Sequence, residues 1–135
     1  MTQPQRGHLL LIILCATAVR VAYFFQFQDN PFFDHVPRSW DQGVYYEGGL
    51  SFARGDLMAV APILDNHFSP AYQYFLGVLF LLFGNQLEVA WVAQFLLGIL
   101  STLLVYSIAC NFVSRIVGLL AALLFTFYAP NWLYE

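Results

Sequence analysis

The sequence predicts an all-α membrane protein: three transmembrane helices plus two juxtamembrane helices in the first external loop, with four transmembrane helices as the alternative. Three observations predict it. The 135 residues are 60% hydrophobic and only 10% charged, whereas soluble domains are typically about 25% charged. Three apolar runs, 9–27, 87–110 and 116–134, come close to or exceed the roughly 20 residues of a bilayer crossing. Six of the eight carboxylates (Asp29, Asp34, Asp41, Glu47, Asp56 and Asp65) fall in one polar island flanked by apolar sequence. The net charge of −3 therefore describes one exposed region and not the whole chain. With no basic patch, nucleic-acid binding has no support. Cys15 and Cys110 lie inside apolar runs, where a thiol behaves as a small hydrophobe, and their spacing gives neither a disulfide framework nor a metal site.

In the first run, Arg6 ahead of apolar residues and Ala16-Thr17-Ala18 imitate a signal peptide with its cleavage site. The apolar sequence continues past that point to Phe25, so 9–27 reads as an uncleaved membrane helix. Its one charge, Arg20, sits near the far end, where it can snorkel to the interface or meet an anionic partner such as a phosphate. Arg6 and His8 place the N-terminus in the cytoplasm by the positive-inside bias and the acidic island outside.

Residues 28–86 form the external loop. Asp29-Asn30-Pro31 breaks the first helix and Val36-Pro37 keeps the chain extended. Ser39 or Asp41 then caps a short helix over 41–54, with Val44, Tyr45, Leu50, Phe52 and Ala53 loosely on one side, Gly48-Gly49 weakening its middle and Gly55 ending it. Such an amphipathic helix lies along the interface. Residues 58–68 read as loop, with Asp65-Asn66-His67 as a second polar knot.

Pro70 in the first turn and Gly84 past the end punctuate a helix over 70–83. At 1.5 Å per residue it is roughly 21 Å long, short of a hydrocarbon core of about 30 Å. Residues 87–110 cross, Asn111 to Arg115 turn, and 116–134 cross again. If 70–83 does not span, Arg115 is cytoplasmic, as the charge bias asks. Gly77, Gly98 and Gly118 inside apolar helices read as close-packing sites.

Acids in an external loop beside aromatic, lipid-facing helices suit an enzyme that takes a lipid-linked substrate from the membrane and an acceptor from water. A carboxylate there serves as general base or orients a metal ion. The plainer reading is a solvated acidic loop. Asp41 is the catalytic candidate. Tyr45 can contact donor or acceptor, or, like Tyr46, be an interface aromatic. Glu47 is either a solvated side chain or a partner of Asp41. Arg54 either bonds a carboxylate of its own loop or meets a donor phosphate in bidentate fashion.

The order of short motifs adds a resemblance. Val19-Arg20-Val21-Ala22-Tyr23 is followed by Asp41-x-x-x-Tyr45 and by Leu50-Ser51-Phe52-Ala53-Arg54-Gly55-Asp56. Ser69-Pro70-Ala71-Tyr72-Gln73-Tyr74-Phe75-Leu76-Gly77, Leu82-Phe83-Gly84, Gln94-x-x-x-Gly98, and Tyr128-Ala129-Pro130 before Leu133-Tyr134-Glu135 complete the series. Together they resemble the N-terminal part of the GT-C superfamily of membrane glycosyltransferases. The chain looks like the dolichyl-phosphate-mannose protein mannosyltransferase group and its bacterial relatives, including aminoarabinose transferases acting on lipid A.

The resemblance implies transfer of a sugar from a polyprenyl-phosphate donor to a protein, lipid or glycan acceptor on the non-cytoplasmic side, usually with inversion. It implies a multi-pass protein of a bacterial or archaeal plasma membrane, and a direct part for Asp41. Family members often carry Asp-Glu where this chain has Asp41-Gln42. Where aminoarabinose transferases have a metal-associated acid before the proline, this chain has His67-Phe68-Ser69. His67 is thus a candidate ligand, and a divalent metal ion the one cofactor left open. Family members are several times longer, with a second acidic loop expected just past Glu135, so the 135 residues alone are expected to be inactive. The rival readings are a non-catalytic scaffold or transporter subunit and a protein-interaction module.

Overall fold

The computed structural model describes residues 3–29, 41–56 and 70–128. They are 89% helical and contain no strand. Five helices follow in order: α1 (Gln3–Phe27), α2 (Asp41–Ala53), α3 (Pro70–Phe83), α4 (Leu87–Phe112) and α5 (Arg115–Phe127). All five elements expected from the sequence are present, α3 with the expected bounds and the others with shifted ends. α1 starts six residues before the apolar run, because Pro4 suits a first helical turn and Gln5 and Arg6 are good helix formers. The polar turn expected from Asn111 to Arg115 shrinks to Val113 and Ser114, so α4 runs two residues past Cys110. α5 is described only to Phe127, and residues 129–134 of the expected last span lie outside the described residues.

α1 from Arg6 and the whole of α4, 22 and 26 residues, are long and apolar enough to cross a membrane. α3 and α5 are apolar but shorter. Along α4, Val92, Leu96, Leu100, Leu104 and Ile108 recur every fourth residue and all are exposed. A continuous apolar stripe of that kind is costly in water and suits lipid.

The chain divides into two compact units. The first holds α1, α4 from Trp91 onward and α5. Its core is Ile12, Tyr106 and Ala122, all buried, with Leu9, Leu103, Cys110 and Leu119 packed around them. Ring contacts set the direction of α1 on α4. His8 meets Tyr106 edge-on at 6.2 Å, while Phe24 meets Trp91 at 6.2 Å and Phe95 at 6.4 Å. As residue numbers rise along α1 they fall along α4, so the two helices are antiparallel. α4 and α5 form an antiparallel hairpin whose two-residue joint lets the helices pack closely at Gly118, where an added Cβ would lie 2.6 Å from Cys110 Sγ. Thr102 and Thr126 are buried without orphaned hydroxyls, since each bonds the carbonyl four residues back, of Gly98 and Ala122, at 2.9 Å.

Ser114 caps α5. Its backbone is extended (φ −164°, ψ 165°) and its hydroxyl accepts from the Val117 amide at 3.3 Å. Ser114→Ala is expected to cost about 1 kcal/mol, with faster hydrogen exchange confined to the first turn of α5. Unchanged exchange there would show that the cap contributes nothing.

The second unit holds α2, α3 and the first turn of α4 up to Ala90. Leu76, Phe80 and Ala90 are its buried core, flanked by Tyr45, Tyr46, Leu50 and Ala53 from α2 and Tyr72, Phe75 and Leu79 from α3. Burying a Leu or Phe side chain contributes roughly 1.5–3 kcal/mol. That is how a 13-residue helix with three glycines persists.

Candidate functional site

α2 carries three of the sequence-predicted site residues, Asp41, Tyr45 and Glu47, and its ends are well defined. Asp41 is its first helical residue and is exposed, with a carboxylate in the first turn, where the helix dipole favours negative charge. At the other end Gly55 takes φ +92°, its amide bonds the Phe52 carbonyl at 2.9 Å, and the Asp56 amide bonds the Ser51 carbonyl at 3.1 Å. This is the Schellman stop that glycine permits. Gly55 ends the helix as the sequence indicated, though Arg54 is already outside it.

The face that α2 turns to α3 differs from the expected apolar stripe. Gly48 and Gly49 are buried on it. Gly49 lies so close to α3 that an added Cβ would sit 2.8 Å from Leu76 Cβ and 3.3 Å from the Gly77 amide nitrogen. A Cβ on Gly77 would sit 2.6 Å from Phe52 Cβ. The glycines that sequence reasoning took as weak points in α2 are thus the contact surface, which bulkier side chains border. Tyr45 packs edge-on against Tyr72 at 5.1 Å, Tyr46 against Phe80 at 5.4 Å and Phe52 against Tyr74 at 5.4 Å.

This geometry brings some predicted residues together and not others. Asp41 and Tyr45, four apart, share a face of α2. Tyr45 is half-buried and Asp41 exposed, so the pair is a carboxylate standing beside an aromatic ledge. Glu47 is half-buried and lies roughly 120° round the helix from Asp41. Arg54 is exposed at the far end, about 20 Å along the axis from Asp41. The helix therefore does not gather Asp41, Glu47 and Arg54 into one cluster. Arg20 belongs to the other unit; it is 2% exposed and donates to the Ala16 carbonyl at 3.3 Å. A guanidinium so enclosed is not snorkelling to water. Among the described residues no group of three or more His, Cys, Asp or Glu could hold a metal ion, and His67 lies outside them.

A family model described as dolichyl-phosphate-mannose-protein mannosyltransferase matches residues 67–134, just over half of the chain. The chain belongs to this family of GT-C-type glycosyltransferases. No curated protein matches it, and no solved structure does. The match starts at His67 and takes in α3, α4 and α5. The mannosyltransferase-family identity thus rests on that half of the chain. Asp41, Tyr45, Glu47, Arg54 and Arg20 all precede it.

One residue went unremarked in the sequence except as part of a motif. Gln73, on α3, is 1% exposed, and neither its Oε1 nor its Nε2 has a hydrogen-bond partner among the described residues. Its carboxamide lies against Gly48, where an added Cβ would overlap it. A lone amide in a 14-residue apolar helix was the available signal.

Proposed function

We propose that this chain is the N-terminal part of a glycosyltransferase that moves a sugar from a polyprenyl-phosphate donor to an acceptor on the non-cytoplasmic side of the membrane. The observation that carries the reading is the seat of α2 on α3. It joins the helix bearing Asp41 to the segment that matches the family. In the proposed reaction the Asp41 carboxylate takes the proton of the acceptor hydroxyl or amine. The acceptor atom bonds to the anomeric carbon, and the carbon–oxygen bond to phosphate breaks, its electron pair leaving with the polyprenyl phosphate. Tyr45, on the same face, lines the substrate path. Glu47 and Arg54 are assigned to substrate binding away from the carboxylate, with the Arg54 guanidinium suited to the donor phosphate.

The proposed topology is a single membrane domain with spans at α1, α4 and α5 and with α2 and α3 lying outside the bilayer core. Its support is the antiparallel course of α1 and α4, which requires an even number of crossings between them. α3 as a lone extra span would make the two parallel. A thiol introduced by Asn85→Cys, at the exposed turn after α3, should react with a membrane-impermeant maleimide from the non-cytoplasmic side. Reaction from the cytoplasmic side only would refute this topology.

The function is tested by joining the chain to the remainder of a family member and assaying transfer of labelled sugar from a polyprenyl-phosphate donor. The expected result is transfer by the joined protein and none by the 135 residues alone. A joined protein that folds, binds donor and transfers nothing would favour the scaffold.

A further inference from the structure

The first unit gathers positive charge at one end. α1 packs on α5, and because each runs antiparallel to α4 the two are parallel. Ile12 of α1 and Ala122 of α5 share one buried core, so positions along both helices can be counted from that level. Arg6 stands six residues before Ile12 and Arg115 seven before Ala122, which is roughly 9 Å and 10.5 Å at 1.5 Å per residue. The two arginines are therefore at one level, and both are exposed. His8 Nδ1 lies 3.4 Å from the Tyr106 hydroxyl, which ties this start of α1 to the last turns of α4. The one carboxylate among the described residues of the unit, Asp29, is at the opposite end, about 35 Å from Arg6 along α1.

The cationic end also carries apolar surface. Phe112, which closes α4, is 84% exposed, more than any other large apolar side chain described. Val113 and Ile116 are 68% and 69% exposed, with Arg115 between them in the chain. α4 has 26 residues and is roughly 39 Å long against a hydrocarbon core of about 30 Å, so as a span it sets its last turn at the headgroup level. At that depth aromatic and aliphatic side chains enter the acyl region while arginines reach the phosphates. The arginines match an anion and the apolar side chains beside them match acyl chains, and a lipid is the ligand that has both.

We infer that this end of the first unit binds a phospholipid with a net negative headgroup. Arg6 and Arg115 hold the headgroup phosphate, and Phe112, Val113 and Ile116 lie against the acyl chains. In a zwitterionic lipid the choline offsets the phosphate charge, so such a lipid binds less tightly. The inference rests on α4 crossing the membrane and not on the proposed reaction, since Asp41 belongs to the other unit.

Native mass spectrometry of the full chain in detergent micelles, titrated with phosphatidylglycerol or with phosphatidylcholine of the same acyl chains, tests this. Phosphatidylglycerol should bind about twentyfold more tightly, since each arginine near an anionic headgroup contributes about fivefold. Arg6→Gln and Arg115→Gln should each lose about fivefold of that preference, and the double variant should bind the two lipids alike. Phe112→Ser should weaken both lipids and leave the preference in place. Glycerol phosphate, a headgroup without chains, should not displace the lipid at equal concentration. Equal binding of the two lipids by the unaltered chain overturns the inference, as does a preference that survives in the double variant. Unchanged binding by Phe112→Ser, or displacement by glycerol phosphate, overturns it too, because either means a site for a soluble anion. If the double variant does not fold, the single variants decide, and an undiminished preference in either one overturns the inference.

Discussion

Asp41→Asn is expected to lower sugar transfer by the joined protein about a hundred- to ten-thousand-fold, the range over which a positioned general base contributes. At 1.36 kcal/mol per tenfold that is about 3–5 kcal/mol of transition-state stabilisation. The fall should appear in kcat, because the proton is taken in the chemical step and not on binding. Asparagine keeps the shape, and position 41 is exposed at the head of α2, so the melting temperature should barely move. Glu47→Gln serves as the comparison: it stands off the Asp41 face and should cost no more than about tenfold. Equal kcat with aspartate and asparagine would sink the assignment. A loss of activity matched by a loss of helix would reassign Asp41 to structure.

Much of the fold was legible in the sequence, because its signals are local. Pro70 and Gly84 bracket α3 by backbone chemistry alone, and Gly84 does take φ +83°, with its amide bonded to Phe80 at 2.9 Å. Gly77 and Gly118 were recognised as close-packing sites, since small residues in apolar helices have few other uses. The face of α2 was legible only in part: Tyr45, Leu50, Phe52 and Ala53 do pack toward α3, but its centre was missed. Hydrophobic periodicity marks a face by its large side chains, and here the contact centres on Gly48 and Gly49, which score as nothing. The pairs that seat α4 on α1 were equally hidden, since residues such as His8 and Tyr106 lie 98 positions apart. Of the site, sequence could propose residue types but not their spacing in space. Asp41 and Tyr45 share a face because four residues make about one turn, whereas Glu47, equally suitable in chemistry, falls elsewhere on the same helix and Arg54 lies past its end.

Gly77→Val should detach α2 from α3, and the opposing terms can be weighed. Glycine inside a helix costs roughly 0.5–1 kcal/mol relative to alanine, so replacing it has something to gain. Against that, the new Cβ would lie 2.6 Å from Phe52 Cβ, the root of a side chain that no rotamer change can withdraw. Overpacking of this kind costs about 1–3 kcal/mol, so the net effect is destabilising. The melting temperature should fall, and the amides of α2, the helix with three glycines, should lose protection before those of α3. Gly7→Ala is the internal control: a Cβ there meets nothing within 4 Å, so only the propensity gain remains and the protein should be slightly more stable. Phe52→Ala combined with Gly77→Val should recover part of the loss, because the collision is removed at its other side, and a coupling energy above about 0.5 kcal/mol would identify the pair as touching. Additive losses would mean that Phe52 and Gly77 do not meet, and the seat that joins Asp41 to the mannosyltransferase-like segment would lose its support.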